Sequence, residues 1–388
     1  MSTAVLRPET SPAEAGLAEL TDLLFASLRR RDQRDKGAKY LRGLLTAKGR
    51  KSIRNIASVT GGSAAEQSLH HFVSCSPWEW APMRRALAQY VHKAVEPQAW
   101  VVQSVQIPKV GEHSVGVDRH FVPHLGQTVN GQQAFGLWLA GRRVSAPVNW
   151  RMYLPGSWLD DSDRRRRAEI PEELPGETLA ACAAAVVLEV AGWGLPVRPV
   201  VLDARSPEVR SALDTFAALG VPFLARIDPG DRLTVADPAL PGYGAGALPA
   251  QHIMRSVSGL RRPVRWLDPN VPTPAVRTSL AAAMRVEPAR EPSRPAAAEA
   301  GRGRMLLLGE WRDPRRPPAE LWLTGMGAAP PGALLRLGKL VRRVARDYRE
   351  VGEPSGLSEF AGRSFHGWHR HVTLASAAHA AALLGERR

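Results

Sequence analysis

The sequence predicts an α/β protein, and three observations carry that prediction. Residues 100–105 are rich in β-branched and aromatic side chains and are followed by Pro108 and Gly111, so they form a short strand ending in a turn. The Ala- and Val-rich stretch 177–191 is helical, stops at Gly192, and leads into a buried strand, 199–202, that runs into Asp203. Residues 331–353 carry the strongest helical period, with Leu337, Leu340, Val341, Val344, Tyr348 and Val351 on one stripe.

The chain has 388 residues, 44% of them apolar, enough for two or three domains with a substantial core. Its 52 Lys and Arg against 37 Asp and Glu give a net charge of +15. Such a balance favours polyanionic partners, chiefly nucleic acid. A bias toward Arg, Ala, Gly and Pro codons would give the same charge without a partner. Two cysteines, Cys75 and Cys182, are too few for a metal cage or a disulfide framework. No apolar run approaches a bilayer span, and the first ten residues lack a basic-then-apolar signal pattern. The expected setting is cytoplasmic, associated with the nucleoid, with no membrane contact.

Taken in order, residues 1–16 read as a loose lead-in. Leu17, Leu20, Leu23, Leu24 and Leu28 then recur at helical spacing, and residues 40–45 form a second short helix. A basic stretch follows, with Arg50, Lys51 and Arg54, and then a break at Gly61-Gly62. Ser63 with Glu66 three residues on predicts a capping box for a helix bearing Leu69, Phe72 and Val73. Two short helices across a glycine turn suit a helix-turn-helix, and equally a packed helical hairpin that touches no DNA. On the first reading Gln67, Ser68, His70 and His71 contact bases or phosphates, and Arg50, Lys51 and Arg54 contact phosphates.

Beyond the strand at 100–105, residues 114–117 read as its hairpin partner and 131–140 as a third strand. After Asp203, Ser206 and Pro207 predict a helix start, with Val209, Leu213, Phe216 and Leu219 on its apolar face. Residues 221–227 form a further strand. The Pro/Gly-rich stretch from 228 to 300 reads as a β-rich insertion, with strand-like pieces at 252–257 and 264–267 and a low-complexity linker from 287. Residues 305–308 and 321–324 form a returning strand pair. On the helix at 331–353, Arg336, Lys339, Arg343 and Arg346 share a stripe, flanked by Arg342 and Arg349. Six cations with few interleaved acids suggest a phosphate-binding face, against the bland alternative of a solvated charged surface.

Several short motifs, in order, resemble those of DDE-type insertion-sequence transposases. They are Tyr40-Leu41-Arg42-Gly43-Leu44-Leu45, the turn Ile107-Pro108-Lys109-Val110-Gly111, Ser114-Val115-Gly116-Val117, Asn130-Gly131-Gln132, Tyr153-Leu154-Pro155 with Trp158, Gly362-Arg363-Ser364, and Gly367-Trp368-His369-Arg370-His371. The resemblance covers roughly residues 30–225 and 300–380. It implies an RNase H-like mixed sheet flanked by helices, with an N-terminal helical domain and a β-rich insertion. The implied domains are 1–96, helical and DNA-binding; 97–227, the first part of the core; 228–300, the insertion and linker; and 301–388, the second part of the core with C-terminal helices.

The same resemblance places the family's three catalytic acids at Gln103 (with Ser104 at a second Asp position), Asp203 and Ala345. Only Asp203 is a carboxylate. An amide and a methyl group cannot hold two Mg²⁺ ions, so no metal or other cofactor is expected unless nearby acids substitute. Glu112, Asp118, Asp347 and Glu350 are the neighbours in sequence, and each is expected to lie off the required position. The leading expectation is a catalytically inactive, sequence-specific binder of double-stranded DNA with a regulatory or architectural role, compatible with a homodimer. An active Mg²⁺-dependent enzyme with unorthodox ligands, and a protein-interaction scaffold or nonfunctional relic, are the alternatives.

Overall fold

The computed structural model describes residues 12–122, 126–271, 273, 275–289 and 304–385. Five helices lead the chain: α1 (Pro12–Phe25), α2 (Arg31–Thr46), α3 (Ile53–Ser58), α4 (Ser63–Ser74) and α5 (Trp80–Val95). Four strands follow, β1 (Ala99–Pro108), β2 (Asp118–Val122), β3 (Gln127–Ala140) and β4 (Ser145–Met152). Next come α6 (Gly156–Leu159), α7 (Ser162–Arg167), α8 (Leu179–Ala191), β5 (Val200–Asp203), α9 (Pro207–Arg210), α10 (Ala212–Ala218) and β6 (Phe223–Arg226). The inserted region holds β7 (Arg232–Val235), β8 (Ala247–Pro249), α11 (Ala250–Ser256), β9 (Arg262–Asp268) and β10 (Ala275–Pro288). The chain closes with β11 (Met305–Trp311), β12 (Glu320–Thr324), α12 (Pro331–Gly338), α13 (Leu340–Asp347), a π-helical turn (Tyr348–Gly352) and α14 (Phe365–Gly385).

All described strands join one mixed sheet. β3 pairs antiparallel with β1 on one side and with β4 and β2 on the other, while β5 lies parallel to β1 and β6 parallel to β5. The order β4-β3-β1-β5-β6 is the RNase H-like arrangement. The inserted strands build no separate sheet. They extend this one through β12, β11 and β10, which carries β7 and β9.

Helix α14 is buried over most of its length and packs against β4, α1, α2, α4 and α5. It carries the Gly-Trp-His-Arg-His motif, whose polar residues are all interior. Tyr40 Oη lies 2.8 Å from His371 Nδ1, and His371 Nε2 lies 2.7 Å from the Gly356 carbonyl. A carbonyl can only accept, so Nε2 carries the proton and Nδ1 accepts from the tyrosine. Arg370 donates to the carbonyls of Val73 (3.3 Å) and Ser74 (3.4 Å), capping the end of α4, and to Trp78 O at 3.0 Å. Arg84 of α5 donates to Thr373 Oγ1, Asn149 Oδ1, Trp150 O and His369 Nδ1. Burial pushes the Arg84 guanidinium down to about 9, with Glu189 acting in the opposite sense.

The structure departs from the sequence-based expectations at several elements. Residues 114–117 form a turn, and the hairpin partner of β1 is β3. Residues 252–256 lie in helix α11, where the apolar Ile253 and Met254 are buried. Ser63 is the first residue of α4 and makes no capping hydrogen bond, because Gly62 at φ 66° occupies the cap. Of the expected lead-in, residues 1–11 lie outside the described residues and 12–16 already belong to α1. Of the expected linker, 287–288 end β10 and 290–300 lie outside the described residues.

Candidate nucleic-acid interface and catalytic centre

The parallel pairing of β1 and β5 matches Trp100 with Val200, Val101 with Val201 and Val102 with Leu202. The next residue on each strand is Gln103 and Asp203, so the two stand level where β5 ends. Open α/β sheets place their reactive groups at such strand ends. Helix α13 packs against both strands and carries Ala345, which is half-exposed. The fold therefore sets Gln103 level with Asp203 on adjacent strands and places Ala345 on a helix that packs against both. Ser104 points to the opposite side of β1 and is exposed.

This region does not fit a two-metal centre. Gln103 offers one buried amide oxygen, which has no hydrogen-bond partner among the described residues. Asp203 is already held by Arg205: Nε donates to Oδ1 at 2.9 Å, Nη2 donates to Oδ2 at 2.7 Å, and the Arg205 backbone N–H reaches Oδ1 at 3.2 Å. That contact raises the Arg205 pKa above its usual range. Arg226 Nη1 lies a further 4.0 Å from Oδ2. The neighbouring acids do not replace the missing ligands. Asp347 faces β4, accepting from Ser145 N at 2.7 Å and Ser145 Oγ at 2.8 Å. Glu350 is exposed, Glu112 is exposed, and Asp118 lies on β2, three strands from β5, paired with Gly131 level with Pro108. Among the described residues no three His, Cys, Asp or Glu side chains converge to hold a metal ion. Cys75 and Cys182 are free thiols.

The expected basic stripe at 331–353 is divided by the fold. The segment is not one helix. It breaks at Lys339, between α12 and α13, where Gly338 presses so close to Trp322 that a Cβ would lie 2.7 Å from the ring. Lys339 faces inward, where only 4% of its side chain is exposed, and it pairs with Glu310 and, at 2.9 Å, with Glu320. Arg343 is also interior. It donates to the Pro269 carbonyl and lies 3.6 Å from Asp347. These two residues cannot contribute to an outward phosphate-binding face. Arg336 and Arg346 are half-buried, Arg346 donating to Asn270 O at 2.9 Å. Arg342 and Arg349 remain exposed beside Ala345, with Arg342 paired to Glu320.

At the N-terminal side, Arg50, Arg54, Gln67, His70 and His71 are exposed and Ser68 is half-buried. Lys51 is the exception. It is 7% exposed, its ammonium donates to Ala47 O, and its backbone N–H donates to Glu359. The loop before α3 is pinned locally: Ser52 caps α3 by accepting from Asn55 N at 3.2 Å, and Asn55 Nδ2 donates to Lys48 O (2.6 Å) and Arg50 O (2.8 Å). Helices α3 and α4 pack together, and α4 is seated on α14 and α2.

Sequence reading passed over Arg205, Arg226, Arg312 and Glu320. The only local signal was a lone acid opening the otherwise apolar strand Glu-Leu-Trp-Leu-Thr at 320–324. The cations that meet it come from three distant segments and share no spacing.

A central mixed sheet in the order β4-β3-β1-β5-β6, flanked by helices, defines the class of RNase H-like DDE proteins. The family model described as "DDE superfamily endonuclease" matches residues 23–293, more than half of the chain, and the chain belongs to that family. It is also 27% identical over 131 residues to the "Probable transposase for insertion sequence element IS701" of Microchaete diplosiphon. That match covers 33% of this chain and 34% of the relative's length, so the chain spans about a third of it.

Proposed function

We propose that this DDE-family protein binds duplex DNA and does not cleave it. The observation that carries the reading is the composition of the three positions that the resemblance assigns: Gln103, an Asp203 clamped by Arg205, and Ala345. One neutralised carboxylate cannot compete with water for two Mg²⁺ ions, which demand near-octahedral oxygen shells. Phosphoryl displacement by a metal pair therefore lacks its ligand set. The net charge of +15 supports a polyanionic partner. The exposed Gln67, His70 and His71 on α4, with Arg50 and Arg54 beside α3, are the groups we assign to DNA contact. A regulatory or architectural role, acting from a specific duplex site, follows if those groups read sequence.

Sheared genomic DNA passed over the purified protein at near-physiological salt, then sequenced, tests this. Enrichment of one or a few sites is the expected result. Uniform retention, or none, would remove the sequence-specific reading and leave the α3–α4 pair as packing. In parallel, supercoiled plasmid incubated with Mg²⁺ or Mn²⁺ is expected to remain intact. Nicking that Asp203→Ala abolishes would instead establish an active enzyme.

A further inference from the structure

A cluster of cations surrounds the degenerate catalytic position, and it exceeds the acids that hold it. Glu320 is a single carboxylate with 3% of its side chain exposed. Its Oε2 receives Lys339 at 2.9 Å. Its Oε1 pairs with Arg342, lies 3.5 Å from Arg312 and lies 3.9 Å from Arg226. Arg226 in turn reaches Asp203, which Arg205 chelates. Five cations thus meet three acids, Asp203, Glu310 and Glu320, and Asp228 acts on Arg205 as a fourth, for a net charge of +1. The excess faces outward: the Arg205, Arg312 and Arg342 side chains are 49%, 60% and 51% exposed. Like charges gathered this closely around shared acids repel one another, and an added anion would relieve that repulsion.

We infer that this cluster is a metal-independent site for a backbone phosphate of duplex DNA, with Arg205, Arg312 and Arg342 as the groups that grip it. Guanidinium forks match phosphate oxygens geometrically and stay charged at all relevant pH. The inference rests on the DNA-binding reading above and adds where one strand lies: across the end of β5, over the position a metal pair would need. Asp203 has a defined part in it. Its carboxylate occupies Arg205 and competes with the phosphate for that guanidinium. The sign of its effect is therefore opposite to that of a metal ligand.

The test is fluorescence anisotropy of a short labelled duplex of mixed sequence, titrated with the full chain in EDTA at several KCl concentrations. Arg205→Ser, Arg312→Ser and Arg342→Ser combined should lower the slope of log affinity against log salt by about one, since one phosphate contact contributes about 0.9. Asp203→Asn, an isosteric change at a half-exposed position, should tighten binding severalfold. The inference is overturned if the triple variant, shown folded by circular dichroism, keeps the wild-type slope. It is equally overturned if Asp203→Asn weakens binding or EDTA abolishes it. Arg50→Ser with Arg54→Ser separates the two readings. If that pair weakens binding while the triple variant does not, the chain binds DNA but not here. If the wild type binds no duplex, both readings fall.

Discussion

Glu310 and Glu320 stand directly opposite each other on the antiparallel strands β11 and β12. Like charges so placed are destabilising unless a cation intervenes. The Lys339 ammonium bridges both, and Ser279 Oγ donates to Glu310 Oε1 at 2.7 Å. Burial pushes the Glu320 carboxyl up, but Lys339, Arg342 and Arg226 together bring it below its ordinary value. Lys339→Met should therefore cost about 3–5 kcal/mol, as removal of one partner from a buried ion pair does. Adding Glu310→Gln should restore part of that loss. Urea unfolding followed by tryptophan fluorescence measures both, and a loss below about 1 kcal/mol would show the bridge to be marginal.

The buried histidines of α14 set an acid limit. His371 and His379 are pushed down to about 4 by burial, against hydrogen bonds to Gly356 O and Ser145 O. Each is neutral when folded and titrates near 6.5 when unfolded, so the unfolded chain binds more protons between these values. Stability from each is complete above pH 6.5 and declines as pH falls toward 4. Relative to a His379→Gln variant, the wild type should gain about 1.4 kcal/mol per pH unit across that window. Chemical denaturation at pH 4.5, 5.5 and 6.5 tests the slope, and a pH-independent difference would contradict it.

The motif glycine at position 43 is a packing residue. A Cβ there would overlap Ile56 Cγ2 and lie 3.2 Å from the Ile56 carbonyl, so Gly43 allows α2 and α3 to approach. Gly43→Ala should destabilise the fold by about 1–3 kcal/mol, despite the better helix propensity of alanine. A rise in melting temperature would show that α3 can move aside.

Restoring two acids should not by itself rebuild a metal centre. In Gln103→Asp with Ala345→Glu, Asp203 remains bound to Arg205. Adding Arg205→Gly should raise Mn²⁺ affinity by about tenfold or more, the scale of effects on groups that hold metal ligands in place. Isothermal titration calorimetry of the double and triple variants measures this. Equal affinities would mean that Arg205 yields readily to the ion.

Much of the fold was legible in the chain, because periodicity and strand composition act locally. The strands β1 and β5, the strand pair β11–β12 and the helices α8 and α10 follow from such signals, while positions 103 and 203 were related only by the family resemblance. That positions 103 and 345 carry no carboxylate needed no coordinates. Side-chain direction was less legible. Six cations in 336–349 read as one face only if all of them reach solvent, and the helix pair α12–α13 buries two of them. Lys339 and Arg343 then turn inward, which no spacing rule could foresee. The Gly-Trp-His-Arg-His motif was visible as a pattern, but its role as a buried polar tie between α14, α2, α4 and α5 depends on partners some 290 residues away. The sequence by itself determined most of the element types and the family resemblance, since these are properties of residues and their near neighbours. Only the tertiary structure decided which charges face water and which face one another. A charge's surroundings are supplied by chain segments far apart in sequence, and burial, not composition, sets what each charge can bind.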